Sequence, residues 1–312
     1  MPRTIGGKFV TQASSVAQEG DDAWHNGDYD VARSCYEKAA GLFADSGDDE
    51  GEAFILFRLG DLELSLDNFD KAESVLRAAA ELVKNKDYAQ STFGEILTRL
   101  AKLEASRGKP HEALQYIKDA RGVLESIDNK NLLGDVYDLE AYVYLLEGRE
   151  KDALKTYKKA AEMFRLDNVT LKEASVLRAI ARIEMKNKSY DEAHDVLERC
   201  RDLYRENGDL LGEASALSAI GCLRYIIRDI ENARKALMKS VYLYGKVDHH
   251  YAEAESLLYL ARVEAIDKHL GDFERAKSHY KRSIELFDFL DNQMMKNSVL
   301  EEYNNFLNRC MG

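Results

Sequence analysis

The chain has 312 residues, 45% of them hydrophobic and 32% charged, with two prolines and a formal net charge of −12. That balance fits a helix-rich protein with a distributed core. The acidity argues against broad nucleic-acid binding, which needs a basic footprint to displace counterions. No apolar run reaches 18 residues, so no direct membrane insertion is expected. Cys35, Cys200, Cys222 and Cys310 form no C-x-x-C pair and read as reduced thiols. The first residues lack an apolar h-region, and the expected location is cytoplasmic.

In chain order, residues 1–11 read as a flexible tail. Seven copies of one unit follow, at about 12–50, 51–91, 92–131, 132–170, 171–210, 211–250 and 251–290. Their register is set by Ala32, Ala72, Ala113, Ala153, Ala193, Ala233 and Ala276, at intervals of 40, 41, 40, 40, 40 and 43 residues. A fixed period of this length marks a solenoid, whose units bury their apolar faces by stacking on one another. No stretch alternates apolar and polar residues as a strand does, so the fold class is all-α.

Within each unit a turn precedes the key alanine. Gly27-Asp28-Tyr29-Asp30-Val31-Ala32 is a clear copy, and Asp67-Asn68-Phe69-Asp70-Lys71-Ala72 and Lys188-Ser189-Tyr190-Asp191-Glu192-Ala193 are variants. A residue suited to a helix end is followed by an aromatic and then by an acid that opens the next helix. Four residues after the alanine stands a large residue (Tyr36, Leu76, Ile117, Tyr157, Leu197, Leu237, Tyr280). Three further on stands a small one (Ala39, Ala79, Ala120, Ala160, Cys200, Ser240, Ser283). This spacing keeps them on one helical face. Twelve residues before the alanine is a second small position, filled by Gly20, Gly60, Ala101, Ala141, Ala181 and Gly221; Ala261 fills it in the seventh unit, with three extra residues in the turn that follows.

The layout resembles the tetratricopeptide repeat, a pair of antiparallel helices with small residues where they cross, over about nine tenths of the chain. The resemblance implies a right-handed superhelix of seven helix pairs. The period exceeds the usual 34 residues by about six, and the extra length is expected between one unit's second helix and the next unit's first. This 40-residue style is similar to the repeats of LGN/Pins-like adaptors and of the sensor arrays of signal-transduction ATPases. Residues 291–312 read as a C-terminal capping helix, which a solenoid needs to cover its last apolar face. The alternative is that Met294, Met295, Leu300 and Phe306 dock a partner or a second copy, giving self-association through this helix.

No catalytic pattern emerges. Gly6-Gly7-Lys8 fails as a phosphate loop because Pro2 and Phe9 replace the required Gly and Ser/Thr. His249-His250 lacks further ligands at metal spacing. No H-E-x-x-H, G-x-S-x-G or G-x-G-x-x-G occurs. Neither a cofactor, a metal nor catalysis is expected.

The resemblance implies that first helices line a concave face. The inner positions collect Trp24, His25, Phe54, Phe57, Leu146 and Ile226 beside the candidate partner-binding residues Arg58, Arg99, Lys102, Tyr142, Arg178, Arg182, Lys186, Tyr225 and Arg262. Arg178, Arg182 and Lys186 stand at i, i+4 and i+8 and form one basic stripe. The same positions yield Asp21, Asp61, Glu95, Asp135, Asp138 and Glu255, so the face as a whole is mixed. Central clustering beside Tyr142 and Tyr225 is what favours a site, since arginine and tyrosine are typical anchors. Chaperone-tail binding of the kind known in tetratricopeptide domains is not expected, because no Lys-x-x-x-Asn stands on these first helices. The expected function is a non-catalytic adaptor that binds a protein or peptide segment with acidic side chains in its groove. The alternative is a regulatory sensor module that changes curvature on binding a small ligand or short peptide.

Overall fold

A computed structural model describes residues 3–266 and 272–311. Among the described residues there are fifteen α-helices, one 3-10 turn and no strand. The helices are α1 (Arg3–His25), α2 (Tyr29–Ser46), α3 (Asp49–Ser65), α4 (Phe69–Val83), α5 (Gln90–Ser106), α6 (Pro110–Ser126), α7 (Lys130–Leu146) and α8 (Glu150–Leu166). They continue as α9 (Thr170–Lys186), α10 (Tyr190–Glu206), α11 (Leu210–Ile226), α12 (Ile230–Lys246), α13 (His250–Ile266), α14 (Asp272–Phe289) and α15 (Gln293–Met311). The chain divides after Asp167 into two compact units, the first holding α1 to α8 and the second α9 to α15.

The repeat's length has a simple origin. From α7 to α12 every helix has 17 residues and every turn has three. Two helices and two turns therefore account for the 40-residue period. The additional residues lengthen the helices instead of forming the inter-unit segment expected from the sequence. The middle residue of each of these turns is left-handed: Gly148, Asn168, Lys188, Gly208 and Arg228 all have φ between 57° and 72°. That conformation lets the backbone N–H groups after the helix bond back to its last carbonyls, as Arg149 N does to Tyr144 O at 2.8 Å. Both kinds of turn, within and between pairs, use this one geometry. The extra turn residues expected in the seventh unit lie outside the described residues.

Two of the first helices, α3 and α11, open on an aspartate cap. The carboxylates of Asp48 and Asp209 accept from Gly51 N and Gly212 N at 3.0 and 2.8 Å. Glycine is required three residues after the cap for a second reason. A Cβ on Gly212 would stand 2.2 Å from Cδ1 of Tyr204, the ring that packs there from α10.

The small positions behave as the spacing predicts. All seven key alanines are fully buried, and so are the large residues four positions on. Gly60 sits against Leu76, whose Cδ2 would lie 2.6 Å from an added Cβ, so no side chain fits where α3 and α4 cross. Cys200, Ser240 and Ser283 replace alanine at the later small position. Each bonds a buried backbone carbonyl, that of Ala174, Ala214 or Ala254, at 3.3, 2.9 and 2.8 Å. A buried hydroxyl is tolerated only with such a partner.

The ends differ from the sequence reading in one respect. α1 starts at Arg3, so residues 3–11 continue a helix where a loose tail is expected. After Pro2 no proline occurs until Pro110, and nothing in between interrupts the i→i−4 ladder at this end. Gly6-Gly7-Lys8 therefore falls inside a helix. At the other end α15 buries Val299, Tyr303 and Phe306, with Phe306 stacked on Phe273 at 5.1 Å between centroids.

Candidate functional site

In the second unit, α9, α11 and α13 contribute side chains to one connected surface. Arg178 Nη1 donates to Ser215 Oγ at 3.4 Å, Ser218 and Ser256 hydroxyls meet at 3.1 Å, and the Tyr225 and Tyr259 rings stand edge to face at 6.4 Å. Arg178, Arg182 and Lys186 are all exposed along α9, as their spacing dictates. Arg178 has only the neutral Ser215 as hydrogen-bond partner, and Arg182 makes no hydrogen bond or ion pair among the described residues. The acids of α9 are turned elsewhere. Glu173 is buried and binds Arg199 at 3.3 Å, and Glu184 is buried as well. The one acid of α11, Glu213, is buried and accepts from Lys239 at 2.6 Å. Arg178 and Arg182 are thus bound to no carboxylate of α9 or α11 among the described residues.

Arg262 lies at the far end of this surface in a different state. Its guanidinium makes a two-pronged bond to Glu302 of α15, at 2.9 and 2.7 Å, and sits 4.9 Å above the Tyr259 ring. The Tyr280 hydroxyl donates to the same carboxylate at 2.8 Å. Burial pushes Glu302 upward, but the Arg262 and Tyr280 hydrogen bonds outweigh it and hold the carboxyl below its ordinary value. Nearby, burial pushes the Cys222 thiol up to about 12, which leaves it a poor nucleophile at neutral pH. Burial also raises the Glu255 carboxyl.

The first unit shows the opposite pattern. Arg58 bonds Asp21 at 2.7 Å and lies 5.5 Å from the Trp24 ring, while Arg99 bonds Asp61 at 2.6 Å and lies 5.2 Å from the Phe57 ring. Phe57 is buried, unlike Phe54, Tyr142 and Leu146, which are about half exposed. Lys102 is exposed. An open pocket of ≈ 320 Å³ is lined by Trp24, His25, Arg58 and Asp61, with its charges already paired.

One concave feature was not legible in the sequence. A cavity of ≈ 350 Å³ in the second unit is lined by α10, α11 and α12, with Arg201, Arg205, Arg224, Lys235 and Lys239 around a floor of Leu217, Ile220 and Ala236. The five cations come from three helices, so no local run announces them. Each already has an acidic partner: Asp202 for Arg201 and Arg205, Asp229 for Arg224, Glu231 for Lys235 and Glu213 for Lys239. Of the α15 residues considered for docking, Phe306 is buried, Met295 is half-buried, and Met294 and Leu300 point outward. No group of three or more His, Cys, Asp and Glu able to hold a metal occurs among the described residues. None of their helices is long and apolar enough to cross a membrane.

Residues 12–85 match the family model described as tetratricopeptide repeat. No curated protein sequence matches the chain. In fold the chain is similar to the apo form of RapI, with a TM-score of 0.71 and 13% identity over 96% of this chain and 87% of that one. It is similar to a signal-transduction ATPase with a tetratricopeptide repeat sensor from Pyrococcus horikoshii, with a TM-score of 0.68 and 15% identity over 88% of this chain and 44% of that one. It is also similar to BtubC from P. vanneervenii, with a TM-score of 0.64 and 17% identity over 72% of this chain and 91% of that one. Residues 12–85 thus carry a tetratricopeptide-repeat match, and the chain has the all-α fold of stacked helix pairs.

Proposed function

We propose that this tetratricopeptide-repeat chain is a non-catalytic interaction module that holds a peptide segment with acidic side chains against the α9–α11–α13 face of its second unit. The observation that carries the reading is the pair of exposed arginines on α9, Arg178 and Arg182. Arg178 and Arg182 are exposed and without an acidic partner among the described residues, whereas Arg58, Arg99 and Arg262 are each paired with an intramolecular carboxylate. An unpaired guanidinium gains charge-assisted hydrogen bonds from an incoming carboxylate; a paired one must first give up the partner it has. Exposed Ile226 and half-buried Tyr225 beside the stripe offer apolar contact for flanking residues. The scattered thiols favour a reducing, cytoplasmic setting.

The test is affinity purification from native lysate with the wild type and Arg178→Glu/Arg182→Glu, followed by titration of the retained partner at two salt concentrations. Charge reversal is expected to abolish retention, and the wild-type affinity is expected to fall with salt. Retention of the same partner with unchanged affinity by both proteins would remove the site from α9.

A second reading, a sensor that changes shape on binding a small ligand or short peptide, draws on the fold shared with the repeat sensor of the Pyrococcus protein. Solution scattering with and without a retained ligand separates the two. A rigid profile supports the adaptor, and a ligand-dependent change in radius of gyration supports the sensor.

A further inference from the structure

The α9 stripe carries a more specific chemistry than attraction to acid. We propose that Arg178 and Arg182, with the Ser215 hydroxyl of α11, form a recognition site for the phosphoryl group of a phosphoserine or phosphothreonine peptide. The inference rests on the reading that this face takes a peptide, and it names the group the face takes.

Residues at i and i+4 on a helix have Cβ atoms about 5–6 Å apart, so the two guanidinium groups can converge on one ligand. Each offers five N–H donors in a planar fork. Arg178 spends one of them, weakly, on Ser215 at 3.4 Å, and Arg182 spends none among the described residues.

One carboxylate carries a single negative charge and two oxygens, which a single bidentate arginine satisfies. It would leave the second guanidinium facing the first across one helical turn with no compensating anion. A phosphoryl group carries about −1.5 to −2 charge and three acceptor oxygens, which matches two forks and a hydroxyl. No carboxylate of α9 or α11 competes, since Glu173 and Glu213 are buried and bound to Arg199 and Lys239, and Glu184 is buried.

The neutral hydroxyl of Ser215 accepts from Arg178 without cancelling its charge. Serine at this point orients a cation and leaves its charge available, where the first unit places Asp21 and Asp61 against its arginines.

An extended polyanion or an anionic membrane fits less well. A chain of net charge −12 repels a broad negative surface, whereas two local arginines act within a Debye length of about 8 Å. Exposed Ile226 at the end of α11 supplies apolar contact for a residue further along the peptide.

The experiment compares three degenerate peptide libraries that differ only at a fixed central residue: phosphoserine, serine or glutamate. Binding to the full chain is read by fluorescence anisotropy, with inorganic phosphate as competitor. The phosphoserine set is expected to bind about tenfold tighter than the glutamate set, with millimolar phosphate competing only weakly. Arg182→Lys, which keeps the charge and loses the fork, is expected to erase most of that preference while leaving glutamate binding within about twofold. Arg178→Glu/Arg182→Glu should bind none of the sets, with helicity by circular dichroism unchanged. Equal binding of the glutamate and phosphoserine sets overturns the phosphoryl assignment and leaves the acidic-peptide reading standing. No binding of any set to the folded wild type overturns both. A phosphoserine preference that survives the arginine variants, or inorganic phosphate binding as tightly as the peptides, also overturns the proposal.

Discussion

The two units build their first-helix faces from the same repeat and treat arginine in opposite ways. In the first, each arginine of the face has a carboxylate from the preceding helix pair, Asp21 for Arg58 and Asp61 for Arg99, and leans on an aromatic ring. In the second, Ser215 stands against Arg178 and Arg182 is bare among the described residues. Only Arg262 is closed off, by Glu302. An arginine on a solenoid face is therefore not by itself a ligand contact. Whether the neighbouring helix pair supplies an acid or a neutral residue decides if the cation holds the protein together or remains available.

The comparison breaks most sharply at Asp21, which serves both the Tyr36 hydroxyl at 2.6 Å and Arg58 at 2.7 Å. Asp21→Ala strips both partners and is expected to destabilise the first unit by about 1–3 kcal/mol. Adding Arg58→Met should recover part of the loss, because it removes the cation left unpaired. Urea unfolding of both variants checks this, and equal stability of Asp21→Ala and wild type would show that the pair is only a surface contact.

The next effect is acid sensitivity at the closed end of the second unit. The Glu302 carboxyl is held below its ordinary value, so its contribution is present above about pH 4.3, the unfolded value, and is lost as pH falls through the lower folded value. Protection factors in α15, taken relative to the intrinsic exchange rate at each pH, should therefore fall on acidification to about pH 3. In Glu302→Gln, exchange at neutral pH should already be faster and its further acid response smaller. An acid response identical in both proteins would assign it to other carboxylates.

A gain of binding sharpens the comparison in the other direction. Asp61→Asn frees Arg99 and should raise the affinity of the first unit's face for a glutamate-rich peptide by about fivefold. Titration of the variant that also carries Arg178→Glu/Arg182→Glu isolates that face. No gain over the same background would mean that pairing is not what silences it.

The smallest effect is structural. Lys188 holds φ at 63° in a turn where Gly108 and Gly148 stand in equivalent places. Lys188→Gly should stabilise the chain by about 0.5–1 kcal/mol and leave peptide binding unchanged. A loss of stability would mean that the lysine side chain contributes more than the backbone strain costs.

Much of the fold was legible because it depends on short-range regularities. The alanines, the large residues four positions on and the glycines of the turns recur at fixed offsets, and fixed offsets on a helix mean fixed faces. Burial followed at all seven copies. The positions of Arg178, Arg182 and Lys186 on one exposed stripe followed from the same geometry. The start of α1 at Arg3 was not legible, because residues 3–11 precede the first copy of the repeat and its fixed offsets do not reach them.

What the sequence could not determine is which charges cancel. Asp21 and Arg58 are 37 residues apart, and Arg262 and Glu302 are 40 apart. Such pairs form only once neighbouring helix pairs have stacked. Helical periodicity places a side chain on a face within its own helix, and so the basic stripe could be read directly. Neutralisation depends on what another helix brings within hydrogen-bond distance, and that was decided by tertiary packing alone.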